Sequence, residues 1–517
     1  MNTNQLQQNT FSKVTAARIE DARTITHSQY IALVRKWDRD NLIRGAASAS
    51  AQNNGATIKD GVQSDYLPWN ISGMAVTAIC RGTAGGPTPS NTELQELIWQ
   101  FGNVFDNAEV NEDDTDVTRM IARIAHQQMP FQKQLLNQWA RPQALFADTP
   151  FPANYKPEVM VEGWLEDLLD CTLSEFIGSA FALWASAIAV DGKYGRSVWD
   201  GSLDPLLKIL PLSRIDEIGL RHFVTDVPGI KSARRAAQKP GDGSEKWAYN
   251  PLIYRPFLRD IEEGMWIAPS TDLLTQKASA LGIVYEGIER WGTKFSRDLG
   301  RLFESYVGRN LALTSGATLV GEIGYGTKKS PRRSTDWFWV FDSLVVLVEV
   351  KAGAPNQSTR QSVGEVFAGL TDKFSKAIKH LDQTASALIS DRVAFASIPA
   401  DRPIVGLVVT LGDFPTAEMG YAYGVFGTSN IPVAFIHSGE LEALVAQETE
   451  LIVSVIREAA DATGPNNLID SNRLKPRLKK VRNEIIEKAW GSNPVLDYIT
   501  KRRAADSKRR EAPTVSS

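Results

Sequence analysis

Asp336-Trp-Phe-Trp-Val-Phe341-Asp342-Ser343-Leu344-Val-Val-Leu-Val348-Glu349-Val-Lys351 reads as a β-hairpin with charge at its open end. Leu344 to Val348 is an unbroken apolar run, the pattern of a strand covered on both faces. The polar pair Asp342-Ser343 lies between two strand-like runs and predicts the turn. A turn centred there pairs Phe341 with Leu344, and the register runs back until Asp336 faces Glu349. Glu349 and Lys351 are two residues apart and share a face, and directly opposed residues lie close together. Two carboxylates and an ammonium then converge at one end of an apolar ribbon. That is costly unless the cluster binds something or forms a plain cross-strand salt bridge.

A chain of 517 residues exceeds one compact core, so two or three domains are expected. Its hydrophobic fraction of 43 % and charged fraction of 23 % are those of a water-soluble globular protein. Two cysteines, Cys80 and Cys171, build neither a disulfide framework nor a metal knot, which suits a reducing cytoplasm. Met1 to Ala17 is polar and lacks the apolar segment of a signal peptide. The uncharged, mostly apolar stretch Phe176 to Val190 is shorter than the roughly 20 residues of a membrane span and predicts a buried helix. No membrane partner is expected. From Arg473 to Arg510, 13 Lys and Arg stand against 4 Asp and Glu, a local balance of +9 in a chain whose total is −3. A basic arm of this kind suits nucleic acid, and equally a solvated tail.

Residues 1–290 read mainly as helices, in one or two subdomains, from recurrences such as Leu94-Leu97-Ile98-Phe101, Met120-Ile121-Ile124-Ala125 and the long segment Trp164 to Val190. Loops are expected at Gly45–Gly55, Gly82–Ser90 and Lys239–Ser244, and Tyr249–Phe257 reads as irregular chain wrapping onto a neighbouring domain. Beyond about residue 294 the pattern changes. A helix from Phe295 to about Leu313 is followed by strands at Ala317–Ile323, Trp337–Phe341 and Leu344–Val350. A helix over about Ser358–Ser390, strands at Pro403–Leu411 and Ile431–Ile436, and a helix from near Glu440 complete the region. The order α-β-β-β-α-β-β indicates an α/β domain over residues 295–460, a mixed sheet flanked by helices. Residues 465–517 form the basic C-terminal arm.

Phosphodiester hydrolysis needs an activated water and stabilisation of charge on the phosphate and leaving oxygen. Mg²⁺ does both and is held by one or two carboxylates, the remaining positions being water and substrate phosphate. Asp336 and Glu349 offer those carboxylates, and Lys351 an adjacent cation to orient water or offset negative charge. An Asp, twelve residues, then Glu-x-Lys on a hairpin between helices resembles the PD-(D/E)xK nuclease superfamily, whose core is α-β-β-β-α-β. The resemblance covers about residues 295–440. It implies Asp336 and Glu349 as metal ligands, Lys351 as the catalytic lysine, and Glu304, on the preceding helix, as an auxiliary acidic residue at the metal. Thr335 stands where the proline of the motif's name would be; that position carries no chemistry.

Lys328, Lys329, Arg332 and Arg333, in the loop before Asp336, and Lys373 and Lys376, with Lys379, on the helix after the motif, are candidate phosphate contacts. Glu322 is expected at a solvated strand end, and His380 and Gln383 clear of the site. Gly321-x-x-x-x-Gly326-Thr327-Lys328 fails as a phosphate-binding loop, since Thr327 stands where that loop needs lysine. The resemblance thus implies a Mg²⁺- or Mn²⁺-dependent nuclease whose nucleic-acid substrate is DNA in most of the superfamily. RNA as substrate, and a non-catalytic nucleic-acid-binding protein on a degenerate nuclease fold, are the alternatives. The helical region would recognise substrate, a protein partner or a second copy. By analogy of architecture the chain is similar to restriction or anti-phage defence effectors.

Overall fold

The computed structural model describes residues 24–60, 66–105, 127, 131, 137–198, 204–237, 246, 248–353, 364–414, 426–464, 466–474 and 481–501. The helix expected around Met120–Ala125, the Lys239–Ser244 loop, the polar start Met1–Ala17 and the last part of the basic arm lie outside them. The chain divides into two compact units, interleaved in sequence. One comprises Met1–Val110, Ala185–Trp199 and Val224–Asp272, and the other Asn111–Trp184, Asp200–Phe223 and Leu273–Ser517. The protein is mixed α/β with helices predominating. Among the described residues no helix is long and apolar enough to cross a membrane.

The first unit is built on helices α1 (Arg39–Asp60), α2 (Pro68–Arg81) and α3 (Asn91–Gly102). The loop expected at Gly45–Gly55 is therefore helix. Its small residues are packing devices: a Cβ on Gly45 would lie 2.7 Å from Leu94 Cδ2, and Ala46 and Ala47 are fully buried. Ser50 is buried in the same helix, where its hydroxyl accepts from the Thr271 N–H at 2.9 Å. A four-stranded sheet, β1 (Lys193–Tyr194), β2 (Val224–Thr225), β3 (Phe257–Glu262) and β4 (Met265–Ile267), in the order β1-β4-β3-β2, joins these helices. Tyr249–Phe257 belongs to this unit too. It contains a single turn of 3-10 helix, Pro251–Ile253, and Asn250 donates to Ser72 Oγ at 2.8 Å.

The second unit holds most of the segment expected as one helix from Trp164 to Val190, which is two, Trp164–Leu169 and Leu173–Ala189, broken where Asp170 takes a left-handed conformation (φ 49°). Helix α4 (Asn137–Pro142) is short. Helix α5 (Thr293–Leu311) buries Leu299, Leu302, Phe303, Tyr306 and Val307, the face read from its periodicity. The strands are β5 (Thr318–Gly321), β6 (Gly324–Thr327), β7 (Ser330–Arg333), β8 (Trp337–Phe341), β9 (Leu344–Lys351), β10 (Ile404–Thr410) and β11 (Val433–His437). Helix α6 (Gly364–Ser390) connects β9 to β10, and α7 (Ser438–Val445) follows β11. The main sheet runs β11-β10-β9-β8-β5; β5, β8 and β9 pair antiparallel, and β9, β10 and β11 parallel. Leu344 to Val348 are at most 1 % exposed, as a two-faced strand requires. Burying each such side chain contributes about 1.5–3 kcal/mol.

Two features hold α5 in place. Asp298, fully buried, accepts from the Tyr155 hydroxyl at 2.6 Å and from the N–H groups of Glu158, Val159 and Met160 at 3.0, 2.7 and 3.0 Å. Burial alone would raise this carboxyl; the Tyr155 hydroxyl and the three N–H groups reverse that and hold it below its ordinary value. A depressed carboxyl stabilises above its unfolded pKa, and the contribution fades as pH falls through the folded value. Asp298→Ala is expected to cost at least about 2 kcal/mol at pH 7, with the gap from wild type narrowing at pH 3; urea melts at the two pH values check it. An equal gap at both would contradict the assignment.

The second feature is a buried polar network. Arg141 Nε and Nη2 donate to Glu442 Oε1 and Oε2 at 2.6 and 2.9 Å, and the Tyr306 hydroxyl donates to Oε1 at 2.8 Å. Asn483 donates to the Glu442 carbonyl at 3.1 Å and to Asn310 Oδ1 at 2.9 Å. Asn483 also caps helix α8 (Glu484–Ser492), which buries Ile485, Ile486, Ala489 and Trp490. Much of the segment expected as a basic arm is thus folded chain. Its charges alternate with an amphipathic apolar face, and only their sum suggests a tail.

Candidate active site

The hairpin has the register read from sequence. Phe341 pairs with Leu344 and the ladder reaches Trp337 with Val348, which leaves Asp336 and Glu349 next in line. Asp336 Oδ2 accepts the Val350 N–H at 2.7 Å, a side chain taking over where the backbone ladder ends. Oδ1 has no partner among the described residues. Glu349 is only 3 % exposed. Its Oε1 bonds Lys351 Nζ, and its Oε2 accepts from His380 Nδ1 at 2.9 Å and, more weakly, from the Thr335 hydroxyl at 3.4 Å.

Thr335 has a structural task. Fully buried, it donates its N–H to Thr384 Oγ1 at 3.0 Å and its hydroxyl to the Val348 carbonyl at 2.6 Å. A proline there would have no N–H to give. Helix α5 is brought against the hairpin by Trp337, whose indole Nε1 donates to the Glu304 carbonyl at 3.2 Å. Gly308 makes room for it, since a Cβ there would lie 2.3 Å from the Trp337 ring. Glu304 Oε2 accepts from Arg301 Nη1 at 2.8 Å.

The electrostatics follow from this crowding. Burial, then the Glu349 carboxylate and, after the opposing Val350 N–H, the charge of Glu304 push Asp336 up to about 7. Burial would raise Glu349 as well, but the hydrogen bond from His380 and the charge of Lys351 hold it below its ordinary value. His380 is pushed up to about 9, first by its bond to Glu349. Its Nε2 lies 3.1 Å from the Arg333 carbonyl. Both ring nitrogens thus face acceptors, and only the imidazolium donates to both.

His380, expected to stay clear of the site, is therefore part of it. It stands 31 residues from Glu349, and nothing in its own helix periodicity marks the contact. Arg301 is a second residue that the sequence did not single out. Glu322 is exposed just beyond the end of β5, as expected; it pairs with Arg333 at 2.9 Å, and its charge acts on Arg301 alongside those of Glu304 and Asp336. Lys328 and Lys329 form the exposed turn, and Arg332 and Arg333 the second strand, of a two-stranded hairpin, β6 with β7, where a loop was expected; four-residue strands are too short to announce themselves. Lys376 is exposed and pairs with Asp372 at 2.6 Å. Gln383 lines an open cleft with Tyr325, Arg332, Asp382 and Asn430.

Among the described residues no three or more His, Cys, Asp or Glu side chains form a ready-made metal cage. A Mg²⁺-type ion asks for less, one or two carboxylates with water and phosphate completing the shell. Asp336, with one oxygen uncommitted and its pKa raised by neighbouring negative charge, fits that demand. Glu349 fits by sharing an oxygen now held by Lys351 or His380.

No family model, curated protein or solved structure matches the chain.

Proposed function

We propose that the second unit is a metal-dependent nuclease that hydrolyses phosphodiester bonds, with DNA as substrate. The observation that carries this reading is the meeting of Asp336, Glu349 and Lys351 at the open end of a hairpin, beside Glu304. In this reading Asp336 and Glu349 hold Mg²⁺ or Mn²⁺, with Glu304 adding negative charge from α5. The bound ion supplies a Lewis acid and lowers the pKa of a water. Lys351 orients the attacking water or offsets charge developing on the phosphate, and His380 fixes the Glu349 carboxylate. The exposed basic hairpin around Lys328 and Lys329, with Arg332 and Arg333, meets the backbone of the nucleic acid. The unit containing α1 to α3 recognises substrate, partner or trigger, as in restriction or anti-phage effectors, with a cytoplasmic setting suited to Cys80 and Cys171, neither of which is in a disulfide.

Labelled duplex DNA and an RNA of the same sequence, each with Mg²⁺, Mn²⁺ or EDTA, test the reading. Metal-dependent cutting of DNA is expected. Cutting of RNA alone moves the substrate class, and binding without cutting under every metal contradicts the proposal.

The metal also leaves a trace in stability. A carboxyl raised to about 7 stabilises below its unfolded pKa, and that contribution is lost as pH rises through about 7. Metal-free protein is therefore strained at Asp336 at pH 8, where a cation has no proton to displace. Below pH 7 each unit costs the ion about tenfold in affinity, about 1.4 kcal/mol of linked stabilisation. Thermal melts with and without Mg²⁺ are expected to show a larger stabilisation at pH 8 than at pH 6. Equal shifts, or none, would sink the metal assignment at Asp336.

A further inference from the structure

Lys373, on α6, differs from the other lysines of its helix. Its Nζ lies 2.2 Å from where a Cβ on Gly353 would be, so the ammonium occupies the space that a side chain at residue 353 would fill. Gly353 is two residues beyond Lys351, at the end of β9. Desolvation at this strand end, and then the Lys351 ammonium, pull the Lys373 pKa below the usual lysine range, which puts the two charges in each other's field. Lys351 has Glu349 as its counter-ion and Lys376 has Asp372. Lys373 has no acidic or hydrogen-bonding partner among the described residues. The residue as a whole is exposed. Two ammonium groups brought together, one of them unpaired, repel each other until an anion lies between them.

We propose that Lys373 and Lys351 form a two-ammonium phosphate site at the end of β9, and that Gly353 is glycine because the Lys373 ammonium takes the place of its side chain. The assignment of the anion as a nucleic-acid backbone phosphate next to the scissile one rests on the nuclease reading; the site's attraction for an oxyanion such as phosphate does not. A phosphate here would bridge Lys351 and Lys373 and bring the backbone to the open end of the hairpin, beside Asp336 and Glu349.

Two variants test the site in different ways. Lys373→Met removes the charge and keeps the stem. Gly353→Ala keeps the charge and pushes the ammonium out of its place, a small displacement because the clash is with the tip of a flexible side chain. Lys294→Met, at an exposed lysine in the first turn of α5, serves as the comparison. Binding of inorganic phosphate at low salt, by calorimetry or ³¹P NMR, is expected to weaken about tenfold or more in Lys373→Met and to weaken also in Gly353→Ala. It should be unchanged in Lys294→Met, with circular dichroism matching wild type for all three. Affinity for uncut duplex DNA in Ca²⁺ is expected to fall in the same order. Absence of phosphate binding by wild type, or binding that Lys373→Met and Gly353→Ala leave intact, overturns the proposal. Phosphate binding that depends on Lys373 in a protein that cuts neither DNA nor RNA keeps the anion site and removes the nuclease reading; cutting that both variants leave untouched does the reverse.

Discussion

Glu442→Ala is expected to destabilise the second unit by about 3–5 kcal/mol, because it strands the Arg141 guanidinium in the interior. Arg141 is 8 % exposed and Glu442 1 %. Burial opposes the Arg141 charge, and the Glu442 carboxylate more than offsets it, raising the guanidinium above its ordinary value. The change also removes the acceptor of the fully buried Tyr306 hydroxyl. Desolvation keeps that phenol protonated and in need of an acceptor. Arg141 (α4), Tyr306 (α5), Glu442 (α7) and Asn483, which caps α8, come from four separate stretches of chain, so a local loss propagates. The double variant Arg141→Met with Glu442→Leu replaces the pair with apolar groups and is expected to recover much of the loss. Chemical denaturation of wild type, single and double variants measures the cycle. A Glu442→Ala protein as stable as wild type would show that the pair is not the buried clamp described.

Lys351→Met is expected to slow cleavage about 10²–10³-fold, about 3–4 kcal/mol of transition-state stabilisation. The ammonium bonds Glu349, whose other oxygen is fixed by His380. Its removal leaves the hairpin intact, since Leu344 to Val348 carry the burial. Single-turnover rates at saturating enzyme separate this loss from binding. Affinity for duplex DNA in Ca²⁺ should fall far less than the rate. A rate equal to wild type would remove Lys351 from the chemistry and leave it as a partner of Glu349.

The hairpin was legible because one short stretch carries all its signals: an apolar run, a polar turn and charge at the open end. The register from Phe341 with Leu344 back to Asp336 follows from a two-residue turn and a period of two. The helix with Leu299, Leu302, Phe303, Tyr306 and Val307 on one face was legible for the same local reason. What could not be read depends on distant residues. His380 meets Glu349 through the crossover of α6, and Thr335 matters through an N–H bond to Thr384. Gly45 to Gly55 was misread because small residues suit a loop by composition and a tight helix contact by geometry, and only Leu94 decides between them. The sheet β1 to β4 escaped because three of its strands run only two or three residues, and the longer β3 does not alternate and carries a shift of register between Leu258 and Glu262. The C-terminal segment was read by its net charge, while Ile485, Ile486, Ala489 and Trp490 already marked an apolar face.

The most direct measurement is a time course of supercoiled plasmid with Mg²⁺, comparing wild type with Glu349→Ala and including an EDTA control. The expected result is loss of supercoiled DNA with wild type and metal only, and none with Glu349→Ala. Equal degradation by wild type and Glu349→Ala would place any cutting elsewhere and contradict the site.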